Sequence, residues 1–382
     1  MTFVPQINRL ILIGNGFDLA HNLKTGYNDF IKWYMKNAFV KSCSDGSYGD
    51  GLVQVVRNNG IDFPNCEMDS PEKFINFFYH NGYTQLLKKH IIIDKSGRQV
   101  VNPFDVKFAP FFQTLLENCS ESKWVEIEKD YYSALKTILK NGDRSSKLKL
   151  LNSLNSEMKQ VIYSLKSYLT EIGIAKADDT YIEILKTHVI EEDLVGNFPN
   201  DRNKTTSHTL LLSFNYTSIP RMYIESNLKV ANRQFSLIPI HGELIDLENP
   251  IIFGFGDELD ENYLKMQNEE INAFFKYIKS FWYFHNSNYH NLIRFIDNDV
   301  YQVSVLGHSC GLSDRTMLNM IFEHKNCISI KIYYHGTKEL NNYTELTQEI
   351  SRHFNDKILL RRRIVPFSRS SAMPQVAMTE NN

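Results

Sequence analysis

Near its amino terminus the chain reads Leu10-Ile11-Leu12-Ile13-Gly14-Asn15-Gly16-Phe17-Asp18. Apolar residues without alternation are typical of a strand in a parallel sheet that is covered on both faces. The Gly14-Asn15-Gly16 turn precedes a predicted helix, and glycines at such a place let the backbone approach a pyrophosphate. Leu19 stands where a complete dinucleotide fingerprint has its third glycine. A nucleotide-binding turn and a merely tight turn are therefore both open.

Similar apolar runs recur in the second half of the chain: Leu210–Phe214, Phe235–Ile240, Ile251–Phe253, Val303–Leu306 and Ile328–Tyr334. Asparagine, histidine or glycine follows each run directly. The carboxyl ends of parallel strands meet at one edge of a sheet, where open α/β sheets bind their ligands. The sequence thus predicts an α/β protein with a mainly parallel, Rossmann-like sheet and a ligand site at that edge.

The long segment between the first two predicted strands has a different pattern. Apolar residues recur at helical spacing in Tyr27–Ala38, Glu72–His90, Phe108–Asn118, Lys123–Leu139, Lys147–Ile172 and Asp179–Ile190. A hairpin of Ile91–Ile93 with Val100–Val101 interrupts them, and Glu258–Ile296 is predicted as further helix. We therefore divide the chain into a Rossmann-like core (residues 1–20 and 206–367), a large helical insertion (residues 21–205) and a disordered tail (residues 368–382).

The overall composition is that of an ordinary globular protein. Hydrophobic residues make up 42% of its 382 residues, and the formal net charge is −2. A charge this close to zero argues against a nucleic-acid partner. The aromatic content of 13% indicates a core rich in Phe and Tyr rather than a base-stacking surface.

The cysteines and the apolar runs indicate the cellular compartment of the protein. Cysteines occur at Cys43, Cys66, Cys119, Cys310 and Cys327, without CxxC spacing. That usage indicates reduced thiols and a cytoplasmic protein. No apolar run approaches the ~20 residues that span a bilayer, so no membrane association is expected. The sequence has no HExxH or other metal pattern, so no metal is predicted.

Three polar side chains directly follow predicted strands or their turns. Asn215 can donate to one partner while accepting from another, so it can orient a ribose and a water together. His241 can act as a general base near neutral pH. Asp18 either caps the first helix or accepts a hydrogen bond from a ribose hydroxyl. The alternatives for the other two are an asparagine that satisfies the turn backbone and a histidine with a structural role.

The later glycine-rich turns supply further candidate contacts. One surrounds Gly254, and another runs from Gly307 to Asp314 and includes Ser309. Small and hydroxyl-bearing residues suit phosphate or ribose contacts. Ser313 and Asp314 alternatively cap the helix that continues through Phe322.

The predicted insertion contains an acidic element, Trp124-Val125-Glu126-Ile127-Glu128-Lys129-Asp130. Glu126 and Asp130 are spaced to share a helical face, while Glu128 points elsewhere. Glu126 or Glu128 reaches into the ligand site, or these residues form a solvated acidic face.

Taken together and in this order, these motifs resemble the AbiH family of bacteriophage abortive-infection proteins. The resemblance rests on residues 10–21, Lys24-Thr25 with Tyr27 and Asp29-Phe30, Trp124-x-Glu126-x-Glu128, Ser213–Thr217, His241-Gly242 and Gly307–Asp314. It covers most of the chain and implies a role in antiphage defence.

More distantly, the same motifs resemble the sirtuin-like NAD-binding domains of other antiphage proteins. That resemblance implies catalytic roles for Asn215 and His241. It implies nucleotide contacts at Gly14, Gly16, Ser309 and Asp314, to which the glycine turns add Asn15, Phe17, Asp18, Gly254 and Gly307. The chain departs from sirtuins at Asn15, where they have alanine, and at Thr217, where many have aspartate. It also lacks their four-cysteine zinc module, so protein deacetylation is not implied.

We therefore expect an abortive-infection effector that binds NAD as its substrate and hydrolyses the nicotinamide–ribose bond. NAD or a related adenine nucleotide is the expected ligand, and the reaction needs no metal. Gating by the helical insertion or by homo-oligomerisation is open. The alternative is a nucleotide-binding sensor that does not hydrolyse its ligand. A nuclease fits less well, because the sequence has no clustered carboxylates with a lysine.

Overall fold

The computed structural model describes residues 7–63, 68–87, 91–93, 97, 99–119, 126–173, 176–195, 206–226 and 228–376. The chain divides into two compact units. The first unit comprises Met1–Lys24, Ile172–Tyr263 and Ile278–Asn382, and the second comprises Thr25–Glu171 and Leu264–Tyr277. Among the helices of the described residues, none combines the length and the apolar character needed to cross a membrane.

The elements are numbered in chain order. The strands are β1 (Asn8–Ile13), β2 (Ser47–Gly49), β3 (Val53–Arg57), β4 (Ile91–Ile93), β5 (Gln99–Val101), β6 (Phe104–Phe108), β7 (His208–Ser213), β8 (Gln234–Pro239), β9 (Tyr301–Leu306), β10 (Cys327–Tyr334) and β11 (Ser371–Ala372). The α-helices are α1 (Asn15–Ala20), α2 (Tyr27–Asp45), α3 (Pro71–Asn81), α4 (Pro110–Asn118), α5 (Ile127–Leu139), α6 (Arg144–Glu171), α7 (Asp179–Lys186), α8 (Ile219–Glu225), α9 (Glu261–Asn268), α10 (Lys279–Trp282), α11 (Asn288–Asn298), α12 (Arg315–Glu323), α13 (Tyr343–Ser351) and α14 (Lys357–Arg363).

The first unit is built on a parallel sheet of six strands in the order β11-β10-β9-β1-β7-β8. Every residue of β1 is buried. Leu10 and Leu12 belong to one hydrophobic cluster, whereas Ile11 and Ile13 belong to another. Successive side chains of a strand point to opposite faces, so β1 packs into a core on both sides of the sheet. The predicted α/β, Rossmann-like fold class is confirmed.

The strand order reverses beside β1. From β1 the sheet extends through β7 to β8 on one side, and through β9 and β10 to β11 on the other. The two directions of extension separate between β1 and β9, which makes that position the topological switch point. Open α/β sheets bind ligands at the carboxyl ends of the strands at such a point.

The second unit combines helices with small antiparallel sheets. One sheet has the order β2-β3-β6, and β4 pairs with β5 as the predicted hairpin. Aromatic side chains fill its interior: the ring of Phe104 lies 4.7 Å from that of Phe39 and 5.1 Å from that of Phe74, measured between centroids. The high aromatic content therefore serves a packed core in this unit.

Several elements differ from the sequence-based expectation. Ile251–Phe253 forms no strand, although Ile252 and Phe253 are buried. The N–H of Ile252 instead donates to the carbonyl of His241 at 2.7 Å. A short buried loop and a buried strand have the same apolar pattern, so periodicity cannot separate them. The predicted helix over Glu258–Ile296 is divided among α9, α10 and α11.

The carboxyl-terminal segment also departs from the expected disorder. Strand β11 pairs in parallel with the end of β10, with Ser371 opposite Tyr333. The N–H of Met373 donates to the carbonyl of Tyr334 at 2.7 Å. Residues 377–382 lie outside the described residues.

Candidate functional site

Four strands of the first unit end side by side at the carboxyl edge of the sheet. In the sheet register, Ile13 lies opposite both Ser213 and Leu306, and Ser213 lies opposite Pro239. The residues that follow β1, β7, β8 and β9 therefore emerge at one edge. These are the segments that carry Gly14, Asn215, His241 and Gly307.

The glycine turns after β1 and β9 pack directly against each other. The N–H of Gly16 donates to the carbonyl of Gly307 at 2.8 Å. A Cβ added to Gly14 would lie 2.5 Å from the Cα of His308, and one added to Gly307 would lie 2.3 Å from the nitrogen of Phe17. Gly307 also has φ +77°, which disfavours any residue with a side chain. This backbone contact explains the glycines without a ligand, so their nucleotide contacts stay a prediction.

Asp18 lies inside α1 and does not cap it, because Gly14 is the N-cap residue. Its carboxylate accepts hydrogen bonds from the Asn215 amide at 2.8 Å and from the Thr217 hydroxyl at 2.9 Å. The second hydrogen of the same amide donates to the Gly14 carbonyl at 3.0 Å. Burial raises the pKa of Asp18 to about 7, although the bonds from Thr217 and Asn215 act in the opposite direction. The site thus contains a carboxyl group that changes charge near neutral pH.

His241 lies at the end of the segment that follows β8. Its Nε2 is 3.2 Å from Oδ1 of Asp314 and 3.1 Å from the hydroxyl of Tyr283. The side chain is only 4% exposed. Gly242 follows with φ +81°, and a Cβ there would lie 2.2 Å from the carbonyl oxygen of Pro250. A glycine is therefore required next to the histidine for the loop to close.

Asp314 contacts three other buried side chains, those of His241, Lys279 and His308. These four residues form the second half of the site, and Asp18 with its hydrogen-bond donors forms the first. Oδ1 of Asp314 accepts from Nζ of Lys279 at 2.8 Å, and its Oδ2 lies 3.7 Å from Nε2 of His308. Burial raises the pKa of Asp314, but Lys279 and His241 outweigh burial and hold that pKa well below 3.8. Asp314 is the N-cap residue of α12, but its side chain makes no cap hydrogen bond, so its carboxylate does not have the alternative capping role. The carboxylate serves the buried cluster instead.

Lys279 is the residue of this cluster that sequence reasoning missed. It is 1% exposed and lies at the start of α10, within the segment predicted as one aromatic helix. A lysine surrounded by aromatic residues is a weak signal, because most lysines on such segments reach solvent. Only the fold reveals that Lys279 faces Asp314.

The other residues predicted to contact a nucleotide differ in their exposure to solvent. Phe17 is fully buried, and its ring lies 4.6 Å from His21 and 4.8 Å from Tyr181, so its side chain belongs to the core. Gly254 is buried, whereas Ser309 is exposed and Asn15 is partly exposed. Of this group, Ser309 and Asn15 are therefore the side chains that a ligand can reach.

The acidic element lies in the second unit. Glu126 precedes α5 and pairs with Lys129 at 3.2 Å, with more than half of its side chain exposed. Asp130 accepts a hydrogen bond from Asn118 at 3.1 Å. These contacts agree with a solvated acidic face around Glu126. Trp124 lies outside the described residues.

Phe214, which directly precedes Asn215 in the sequence, packs against the histidines near Asp314. The ring of Phe214 lies 5.0 Å from that of His241 and 4.2 Å from that of His308. The site combines a carboxyl group that titrates near neutral pH, a carboxylate balanced by a lysine, and an imidazole. Within the ranges that the structure describes, His, Cys, Asp and Glu side chains form no group of three suited to a metal ion.

Comparison with known families identifies one match. The family model described as "Bacteriophage abortive infection AbiH" matches residues 10–335, which is most of the chain. The match includes the strand ends and turns described above. No curated protein matches the sequence significantly.

Proposed function

This chain belongs to the AbiH family of bacteriophage abortive-infection proteins, and on that premise we propose how it acts. It binds NAD at the carboxyl edge of the six-stranded sheet and hydrolyses the nicotinamide–ribose bond. Family membership supports the role in abortive infection. The proposal adds the ligand and the reaction.

One observation carries the proposal: Asp18, Asn215, His241 and Asp314 all lie on segments that leave the sheet at its carboxyl edge, where they form two hydrogen-bonded groups. The hydrogen bonds within each half are 2.8 to 3.2 Å long. Chemically diverse side chains from separate strand ends, gathered at a switch point, are the usual mark of a ligand site in an α/β fold. The two aspartates have pKa values displaced in opposite directions, which is typical of acid–base sites.

The proposed reaction uses these groups as follows. The bond between the ribose carbon and the nicotinamide nitrogen breaks, and its electron pair leaves with nicotinamide. Positive charge then develops on the ribose, where ionised Asp18 stabilises it. Water bonds to the ribose carbon and gives a proton to His241. No metal takes part in these steps.

Asn215 has a narrower role here than its residue type suggests. Both amide hydrogens are engaged, one by Gly14 and the other by Asp18. The side-chain carbonyl is therefore the part of Asn215 assigned to a ribose hydroxyl. Asn15 and Ser309, at the accessible rim, are assigned to the pyrophosphate.

A nucleotide sensor that does not hydrolyse its ligand is the second candidate. The specific observation in its favour is burial, since Asn215 is 5% exposed and His241 is 4% exposed. A ligand bound at the rim would then signal without reaching either side chain. Binding of NAD without release of nicotinamide would favour this function.

The test is nicotinamide release from NAD by the purified protein and by single variants. His241→Gln and Asn215→Ala are each expected to reduce the rate on the order of 10²-fold or more, as for loss of a general base or of its positioned substrate. His208→Gln is the matched control, because this partly buried histidine opens β7 and bonds Ser236 at 2.6 Å. Full activity in either site variant would refute the assigned mechanism.

A further inference from the structure

We infer that Asp314 and Lys279 hold His241 in a single tautomer, with its hydrogen on Nε2 and its proton-accepting lone pair on Nδ1. The role of that tautomer in a reaction rests on the proposed function. Asp314 and Lys279 are then positioning residues, because neither is assigned to the substrate. The tautomer itself follows from contacts within the protein.

The hydrogen bond between His241 and Asp314 fixes the position of the imidazole hydrogen. Burial raises the pKa of Asp314, but Lys279 and His241 hold it well below 3.8, so its carboxylate is ionised at neutral pH. An ionised carboxylate has no hydrogen to donate. The 3.2 Å approach of Nε2 to Oδ1 therefore requires the hydrogen to lie on Nε2. The hydroxyl of Tyr283, 3.1 Å from the same nitrogen, can accept from it as well.

The positive charge that faces Asp314 belongs to Lys279. Lys279 is 1% exposed and contacts Asp314 at 2.8 Å, so its ammonium group balances the carboxylate within the cluster. Without that cation, the buried carboxylate would draw a proton onto a neighbouring imidazole. A protonated His241 could not accept a proton from water. Lys279 thereby supplies the counter-charge that a protonated imidazole would otherwise have to supply.

His308 is not the cation that balances Asp314. Nδ1 of His308 accepts the Cys310 N–H at 2.9 Å, which puts the hydrogen of the neutral ring on Nε2, toward Asp314. Burial also lowers the pKa of His308 to about 4. His308 is thus neutral at pH 7. Lys279 is therefore the cation that balances Asp314.

The experiment is nitrogen NMR of the full-length protein with labelled histidine. The His241 signals are assigned by their loss in His241→Gln. Wild-type protein should show a protonated Nε2 and an unprotonated Nδ1. The double variant Lys279→Met/Asp314→Leu removes both charges together, which proteins tolerate better than loss of one partner. In this variant the two tautomers should exchange.

A matched control removes another lysine–aspartate pair, which is partly buried, from the same unit. Lys331 contacts Asp193 at 2.8 Å, and neither is among the described contacts of His241. Lys331→Met/Asp193→Leu should leave the His241 spectrum unchanged. Lys279→Arg keeps the positive charge and should retain the wild-type tautomer.

Measurements of NAD cleavage test the proposed function separately from the tautomer of His241. If NAD is cleaved, the Lys279→Met/Asp314→Leu variant should lose kcat on the order of 10²-fold with little change in KM. Protein that cleaves no NAD but shows the Nε2–H tautomer would refute the function and uphold the inference. A wild-type His241 with its hydrogen on Nδ1, or a double variant with an unchanged tautomer, would overturn the inference. If the double variant does not fold, the wild-type spectrum still tests the tautomer, and Asp314→Asn tests the part that Asp314 plays in holding it.

Discussion

Asp18 and Asp314 are both buried aspartates at the same edge of the same sheet, yet their surroundings differ in charge. Asp18 accepts hydrogen bonds from two uncharged donors, Asn215 and Thr217, and burial raises its pKa to about 7. Asp314 faces the ammonium group of Lys279, and its pKa is held well below 3.8 despite burial. Burial raises the pKa of both carboxyl groups, and the charge of Lys279 accounts for the opposite outcome at Asp314.

Because their pKa values differ, the two aspartates are suited to different chemical roles. Asp314 keeps its charge over the physiological range and can orient a neighbour without changing state. Asp18 changes charge near neutral pH and is suited to a step that involves developing charge.

The largest effect is expected from Lys279→Met alone. It leaves the carboxylate of Asp314 buried without its cation, which costs about 3–5 kcal/mol in other proteins when one partner of a buried pair is removed. Urea unfolding at pH 7 measures the loss. Adding Asp314→Leu should recover most of it. A Lys279→Met protein as stable as wild type would mean that Lys279 does not balance Asp314.

Asp18→Asn should instead stabilise the protein at neutral pH. The unfolded carboxyl group has a pKa near 3.8 and the folded one a pKa of about 7, so between these values the folded state binds the extra proton. Wild-type stability contributed by Asp18 therefore falls as pH rises from about 4 to about 7. The neutral amide escapes this loss, so the stability of Asp18→Asn relative to wild type should rise by up to about 4 kcal/mol.

Unfolding experiments across this pH range test that difference. Asp314→Asn is the contrasting variant, because it removes a charge that is favourable and should destabilise the protein at pH 7. A constant difference between Asp18→Asn and wild type from pH 4 to pH 8 would contradict the raised pKa.

A smaller effect is expected where the two halves meet. Gly307→Ala puts a Cβ 2.3 Å from the nitrogen of Phe17 and forces a side chain into φ +77°. Gly46 has nearly the same φ, +79°, but a Cβ there meets nothing within 4 Å. Gly46→Ala should cost about 1 kcal/mol from the backbone alone. Gly307→Ala should cost clearly more, about 2–3 kcal/mol. Equal losses in thermal or urea unfolding would show that the turns can separate freely.

The strand ends could be predicted from sequence, because buried parallel strands are apolar runs that stop at a polar or glycine residue. That pattern located β1, β7, β8, β9 and β10. It failed for the small sheet β2-β3-β6, whose short strands lie among helical patterns. It also failed at Ile251–Phe253, where a buried loop has the same apolar composition as a strand.

The charge states at the site could not be predicted from sequence. Nothing local distinguishes Asp18 from Asp314, since each follows a glycine-rich turn beside a helix. What separates them is Lys279, which lies 35 positions before Asp314. Tertiary contacts of this kind have no periodic signal. The same is true of the contact between Gly16 and Gly307, which accounts for glycines that otherwise suggest a phosphate site.

The most direct test of the whole account is nicotinamide release from NAD by wild type and Asp18→Asn between about pH 5.5 and 8.5, across the pKa assigned to Asp18. If ionised Asp18 stabilises the ribose cation, the wild-type kcat should rise with pH through about 7 and then level off. Asp18→Asn should be folded, at least as stable as wild type at pH 8, and slower on the order of 10²-fold or more. A folded Asp18→Asn protein that releases nicotinamide at the wild-type rate would contradict the account.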